Sequence, residues 1–354
     1  MTLDTSARPH RPRRSARRTA LLALAAMTAA SSLLATSPAV AAATGRTCHE
    51  VEMPVASGLV SGTVHGTLCS PATGTPRALQ ILVPGGSYNR HYWDGVGVPQ
   101  YSYTARANAG GYATLAIDRL GTGDSTKPLS ALVTDTVQTD AIHQVIARAR
   151  AGTLDSHRYS RVVLAGHSLG SLQSVLAATR HPGDVDAVVL SGYSHHVSLT
   201  ETVRLLGTTH PRTLELSSLD PGYFTTIPNM RASMFDAADD VAPEVVAADE
   251  AGRDQFSAAE VPLALLGGLA PATTRAIGVP VLVANGGKDT WACPGSLCAS
   301  ADSLRASEQD AYSRPVSAYV LPRAGHSLAI AADGSQFADA VVAWLDRMLP
   351  GGTR

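Results

Sequence analysis

Six short apolar runs punctuate the chain: ALQILVPGG (78–86), YATLAID (112–118), RVVLAG (161–166), DAVVLSG (186–192), PVLVANGG (280–287) and VSAYVLP (316–322). Each is nearly continuously apolar and bounded by Gly or Pro, which is how strands buried on both faces read. Two earlier segments within residues 50–70, EVEMPV and GTVHGTLCS, alternate or carry β-branched residues around Gly58 and Gly62, and predict a hairpin. Between the runs lie helical stripes. Val133, Val137, Ala141 and Val145 with Ile142 and Ile146 make one, Ser168 to Thr179 another, and Phe337, Val341, Trp344 and Leu345 with Val342 and Met348 a third. Strands alternating with helices predict an α/β fold built on a doubly wound, mostly parallel sheet.

The alternation breaks once. Residues 193–279 hold no comparable run and are rich in Ala, Asp, Leu, Met and Pro. A stretch that long in a compact domain needs structure and a purpose of its own. It is expected to be a mostly helical cap insertion over 197–275, roofing one end of a core formed by 44–196 and 276–354.

The first 43 residues read differently. Arg8, Arg11, Arg13, Arg14, Arg17 and Arg18 precede an apolar, alanine-rich run from Ala20 to about Ala35, then Pro38 and the small-residue tract AVAAATG. A basic region, an apolar region and an A-x-A-like site make a secretory signal peptide, with cleavage expected between Ala41 and Thr44. The protein is therefore expected outside the cell, exported by the general or the twin-arginine route, with no stable membrane insertion once the leader is gone. Six Arg against one Asp put this segment at +5, so the remainder stands at −6 within a whole-chain charge of −1. No basic stripe is left, and nucleic acid is excluded as a partner. The four cysteines, Cys48, Cys69, Cys293 and Cys298, all follow the leader. An even count in an oxidising compartment favours disulfides. Of the three pairings, joining sequence neighbours is the simplest, Cys48–Cys69 and Cys293–Cys298. There is no C-x-x-C and no histidine at zinc-finger spacing, so no metal site is expected.

The third run ends in Gly166-His167-Ser168-Leu169-Gly170. G-x-S-x-G alone is a weak signal, but here RVVLA precedes it as a strand and SLQSVLAAT follows as a helix. That placement is what a nucleophile elbow requires: a strained turn lifting the serine hydroxyl out at a helix N-terminus. A serine needs a base, and the base a carboxylate to orient it. His326 is the one histidine after the last strand, and Asp289 follows the strand PVLVANGG. The loop after the preceding strand offers no carboxylate before Glu201. Ser168, Asp289 and His326 thus stand in the order nucleophile, acid, base. His167 is read as packing. An oxyanion hole is expected from the N–H of Leu169 and that of Gly86, where Gly85 and Gly86 allow close backbone approach.

With these motifs the chain resembles the α/β-hydrolase fold superfamily, specifically secreted actinobacterial-type serine hydrolases with a cap. The resemblance spans about 78–348 and rests on VPGGSYNRHYWD, DRLGTGDS, GHSLGS, NGGKDT and AGHS in the expected order. It implies a Ser168–Asp289–His326 triad working without a cofactor, and a structural rather than catalytic Asp118. One departure is Pro84-Gly85 where many members have His-Gly; proline donates no backbone hydrogen bond. A Cys293–Cys298 loop just after Asp289 would hold the acid in place.

The leading expectation is hydrolysis of small-molecule carboxylic esters through an acyl-enzyme. Amide or peptide hydrolysis, or another acyl transfer, on the same triad is the alternative, and a non-catalytic ligand-binding protein on the same scaffold is the rival from another class. Haloalkane and epoxide chemistry on this fold needs a carboxylate where Ser168 stands. Tyr88, Trp93, Tyr193, Tyr223, Phe224 and Met230 are expected to line the substrate pocket.

Overall fold

In the computed structural model, which describes residues 45–215 and 219–350, every apolar run is a strand; the expected leader lies outside the described residues. The first two strands, β1 (Arg46–Ser57) and β2 (Val60–Pro71), form the hairpin. Their turn is Gly58-Leu59, with Gly58 at φ +56°. Then come β3 (Leu79–Val83), α1 (Tyr103–Ala109), β4 (Ala113–Ile117), α2 (Asp135–Ala151), β5 (Val162–His167), α3 (Leu169–Arg180) and β6 (Ala187–Ser191). The interrupting segment carries α4 (Leu199–Gly207), β7 (Thr209–Pro211), β8 (Tyr223–Thr226), α5 (Arg231–Phe235), α6 (Pro243–Ala251), β9 (Phe256–Ser257), α7 (Val261–Gly268) and α8 (Pro271–Thr274). The alternation then resumes with β10 (Val281–Gly286), α9 (Ala301–Glu308), β11 (Ser317–Leu321) and α10 (Gly334–Met348).

The main sheet runs β1-β2-β4-β3-β5-β6-β10-β11. The six strands from β4 to β11 are mutually parallel, and the hairpin adds an antiparallel edge. Successive residues of a strand point to opposite faces. In β5, Val162 and Leu164 join one apolar cluster with α2, α3 and Leu304 of α9, while Val163 and Ala165 join the other with α1 and α10. Burial on both faces is why these runs lack alternation. Helix boundaries follow local chemistry: the Thr134 hydroxyl caps α2 by accepting from the Val137 N–H, and Gly152 ends it in the left-handed region.

Cys48 lies directly opposite Cys69 in the hairpin register and is bonded to it; Cys293 is bonded to Cys298. Helices make up most of the regular structure of the interrupting segment but under half of its residues, and it also contains a small antiparallel sheet, β7-β8-β9. Strands of 3, 4 and 2 residues are too short for a period of two to register in the sequence. None of the described helices is long and apolar enough to cross a membrane.

Candidate active site

Ser168 sits between the end of β5 and the start of α3, at φ 53° and ψ −119°. Few side chains tolerate that region, and the strain persists because the flanking backbone is wedged in place. A Cβ on Gly166 would lie 2.4 Å from the Gly170 carbonyl oxygen, and one on Gly170 2.3 Å from that of Val83. Only glycine fits at either position. The Ser168 N–H donates to the Ser191 carbonyl at 2.8 Å, tying the turn to β6.

Asp289 and His326 come from the loops after β10 and β11 and meet: His326 Nδ1 lies 2.8 Å from Asp289 Oδ2. The other carboxylate oxygen accepts from the N–H groups of Trp291 and Ala292, both at 2.9 Å. The Cys293 N–H donates to the Asp289 carbonyl at 3.0 Å, so the small disulfide loop begins where the acid is anchored. Both side chains are almost fully buried. With Nδ1–H directed at the carboxylate, Nε2 is the basic nitrogen of the neutral ring. Ser168 and His326 are not hydrogen-bonded to each other in this structure. The Cβ that Gly192 lacks would lie 2.9 Å from His326 Cε1, so this glycine leaves room for the imidazole.

His167 does more than fill space. Its Nε2 lies 3.1 Å from the His326 carbonyl oxygen, and its ring stacks on Tyr92 at 4.3 Å between centroids. Nε2 therefore carries the proton and donates. Burial, then the neighbouring His326, hold its pKa well below that of a free imidazole, so the ring stays neutral. Gly85 packs against this pair: a Cβ there would lie 2.8 Å from His167 Nδ1 and 3.2 Å from Ser168 Cβ.

The N–H groups of Gly86 and Leu169 have no hydrogen-bond partner among the described residues, and both residues line a cavity of about 120 Å³ that opens at Ser168. Its walls are Leu169 and Leu172 of α3, Leu205 and Leu206 of α4, Met234 and Phe235 of α5, Phe256, Val261, Leu265 and Trp291. No charged side chain lines it. The six expected pocket residues are elsewhere. Tyr88 is buried with its hydroxyl 2.9 Å from Ser327 Oγ, and Trp93 packs edge-on to Tyr92 and Tyr103 in the core. The hydroxyl of Tyr193 donates to the Gly268 carbonyl and that of Tyr223 to the Pro128 carbonyl. Phe224 tilts against Phe256, and Met230 packs on the core cluster of α1 and α10. The tyrosines are turned inward because backbone carbonyls satisfy the hydroxyls of Tyr193 and Tyr223 there, and the Ser327 hydroxyl that of Tyr88. Of the residues missed, Trp291 was within reach, two positions after the acid; nothing in the local pattern singles out Phe256 or Leu265.

Beside the pocket, Arg231 is buried in a two-pronged pair with Asp249 (2.7 and 2.9 Å) and lies over the Tyr88 ring at 4.2 Å. Neighbouring Asp236 has both carboxyl oxygens buried without a hydrogen-bond partner; burial, then Asp249, push its pKa up to about 8. Among the described residues, one group has the composition of a metal site: His143 on α2, with His181 and Asp184 just after α3. The two imidazoles are stacked at 3.9 Å and 11°, so their in-plane lone pairs run side by side rather than converging on one ion.

A family model described as "Alpha/beta hydrolase family" matches residues 80–340. Solved structures give the same fold at low identity. A thermophilic esterase from Thermogutta terrifontis superposes with a TM-score of 0.58 at 15% identity, covering 85% of this chain and 99% of its own. E-2-(acetamidomethylene)succinate hydrolase gives 0.56 at 20%, covering 84% and 100%. A monoacylglycerol lipase from Paleococcus ferrophilus gives 0.54 at 19%, covering 80% and 99%. No curated protein matches the sequence.

Proposed function

The chain belongs to the alpha/beta hydrolase family, and from that premise we propose that it is a serine hydrolase of small carboxylic esters, with Ser168, His326 and Asp289 as its triad. The observation that carries this reading is the buried His326–Asp289 pair at 2.8 Å, on loops that follow strands of the sheet whose β5 ends at the strained Ser168. Ser168 Oγ attacks the ester carbonyl as His326 Nε2 takes its proton. The tetrahedral oxyanion is held by the N–H groups of Gly86 and Leu169. The intermediate collapses as the imidazolium protonates the departing alcohol, leaving an acyl group on Ser168. Water, deprotonated by His326, then releases the acid. The serine–histidine hydrogen bond is one that tightens with substrate in place. Asp289 holds Nδ1–H and stabilises the imidazolium.

The substrate follows from the walls. A cavity of about 120 Å³ without charge suits a short to medium apolar chain, since cavities of about 150 Å³ take benzene. Burying that chain gains about 0.8 kcal/mol per CH₂. Segment 197–275 supplies much of the wall and acts as a cap. We also propose export of the protein, which the two disulfides support. One observation favours a second reading, an amphiphilic lipid ester: Leu206, in the pocket wall, is 52% exposed. The test is kcat/KM on chromogenic esters for the wild type and Ser168→Ala. Loss of several powers of ten is expected; a variant keeping more than about a hundredth of the activity would remove Ser168 from the mechanism.

A further inference from the structure

Behind the Gly85–Gly86 loop lies a fully buried ion pair that the mechanism above does not use. Arg119, just after β4, pairs through Nη1 with Glu260, which enters from the cap segment immediately before α7. Glu260 is held from all sides. Its Oε2 also accepts from the side-chain amides of Gln138 (2.9 Å) and Gln173 (2.8 Å), and its Oε1 from the Ser257 N–H (3.0 Å). The guanidinium it fixes has one further contact: Nη2 donates to the Gly85 carbonyl at 3.2 Å. The Tyr88 N–H donates to the same oxygen at 3.3 Å.

That carbonyl and the Gly86 N–H belong to one peptide unit. Among the described residues no peptide bond is cis, so the two groups point in opposite directions. Fixing the oxygen toward Arg119 aims the N–H the other way, at the cavity that Gly86 shares with Ser168 and Leu169. A peptide flanked by two glycines is otherwise among the freest to rotate, and a half-turn would put a carbonyl where the oxyanion forms. A cation on the carbonyl side also polarises the N–H, strengthening it as a donor.

We propose that Arg119 is a positioning residue for the oxyanion hole, and that Glu260 makes its placement depend on the cap being docked. The proposal rests on the reading of Gly86 as an oxyanion donor in a serine hydrolase. Because the Gly86 N–H acts on charge that develops in the transition state, misaiming it lowers kcat and leaves substrate binding alone.

Two variants test this. Arg119→Met with Glu260→Gln removes both charges together, so neither is left buried alone; the amide oxygen still accepts from Gln138 and Gln173, and the Ser257 N–H loses its acceptor. Arg119→Lys keeps Glu260 paired but replaces the rigid fork with one ammonium on an unforked stem, which gives up the fixed two-pronged hold on the Glu260 carboxylate and the Gly85 carbonyl. The measurements are kcat, KM and the inhibition constant of an alkylboronic acid, whose tetrahedral adduct on the serine places an oxygen in the hole. Removing an oxyanion donor costs about 10²–10³ in kcat, so misaiming one is expected to cost about ten- to a hundredfold. KM should stay within about twofold, and the boronate should weaken in proportion to kcat. Unchanged kcat in either folded variant overturns the inference. So does a kcat loss with unchanged boronate affinity, or a change confined to KM. A wild-type protein that takes no boronate on Ser168 overturns the underlying hydrolase reading as well, which separates the two failures.

Discussion

Opening the two disulfides one at a time should separate stability from catalysis. Cys48–Cys69 closes a loop with a sequence separation of 21, and Cys293–Cys298 one of 5. On the chain-entropy account, their removal costs about 3 and about 2 kcal/mol respectively. For a chain this long, that corresponds to a Tm loss of roughly 1–2 °C per kcal/mol. The catalytic consequences differ in the opposite sense. Cys48 and Cys69 face each other across β1 and β2, whose pairing runs the full length of the hairpin at the edge of the sheet, so the site is untouched. Cys293 instead donates its N–H to the Asp289 carbonyl, one residue beyond the two amides that hold the Asp289 carboxylate at 2.9 Å. Loosening that turn by about 1.4 kcal/mol of lost orientation lowers kcat about tenfold. The assay pairs urea unfolding with kcat/KM on a soluble ester at 25 °C, for Cys48→Ala/Cys69→Ala and Cys293→Ala/Cys298→Ala. The first pair should be the less stable and fully active, the second the more stable and about tenfold slower. Equal activity in the two, or loss of activity in the hairpin pair, would refute the assignment of a positional role to the short loop.

Asp236 is held protonated by burial, with a pKa pushed up to about 8 among Asp249, Arg231 and Asp240. The unfolded chain releases that proton near pH 4, so the stability this group contributes is full below about pH 4 and is lost as pH rises through 8. Asp236→Asn should therefore match the wild type at pH 4 and exceed it at pH 8, by on the order of a few kcal/mol; a Tm difference independent of pH would contradict this. Gly85→Ala forces a methyl to 2.8 Å from His167 Nδ1 and 3.2 Å from Ser168 Cβ, whereas at Gly86 the nearest atom is 3.7 Å away. The first substitution should cost at least about a hundredfold in kcat and the second far less, read from ester kinetics. On esters from acetate to palmitate, efficiency should peak at short to medium chains, without a jump when droplets form. A maximum on palmitate together with activation by emulsified triolein would favour the lipid reading instead.

The strands and the loops that carry Ser168, Asp289 and His326 were legible because burial on both faces leaves continuous apolar runs and because the turn at Ser168 demands glycine at fixed places. Asp289 and His326 could be placed by their position after β10 and β11 alone. The pocket was not legible. Tyr88, Tyr193 and Tyr223 lie near the site in sequence, yet their orientation depends on which distant carbonyl or hydroxyl accepts the phenol, and that is decided by packing. The walls of the cavity at Ser168, such as Phe256 and Leu265, come from a segment whose helices are short and whose strands have 2 to 4 residues. Arg119 was hidden for a related reason: a charged residue in a glycine-rich turn reads as solvated until Glu260, 141 positions away, is seen beside it.

The central claim is that Ser168 is a nucleophile activated by His326. It is tested most directly by reacting the protein with a fluorophosphonate and mapping the adduct by peptide mass spectrometry. One adduct per chain is expected, on Ser168, absent from Ser168→Ala and formed orders of magnitude more slowly in His326→Ala. An adduct on another residue, or equal labelling rates in the wild type and His326→Ala, would contradict it.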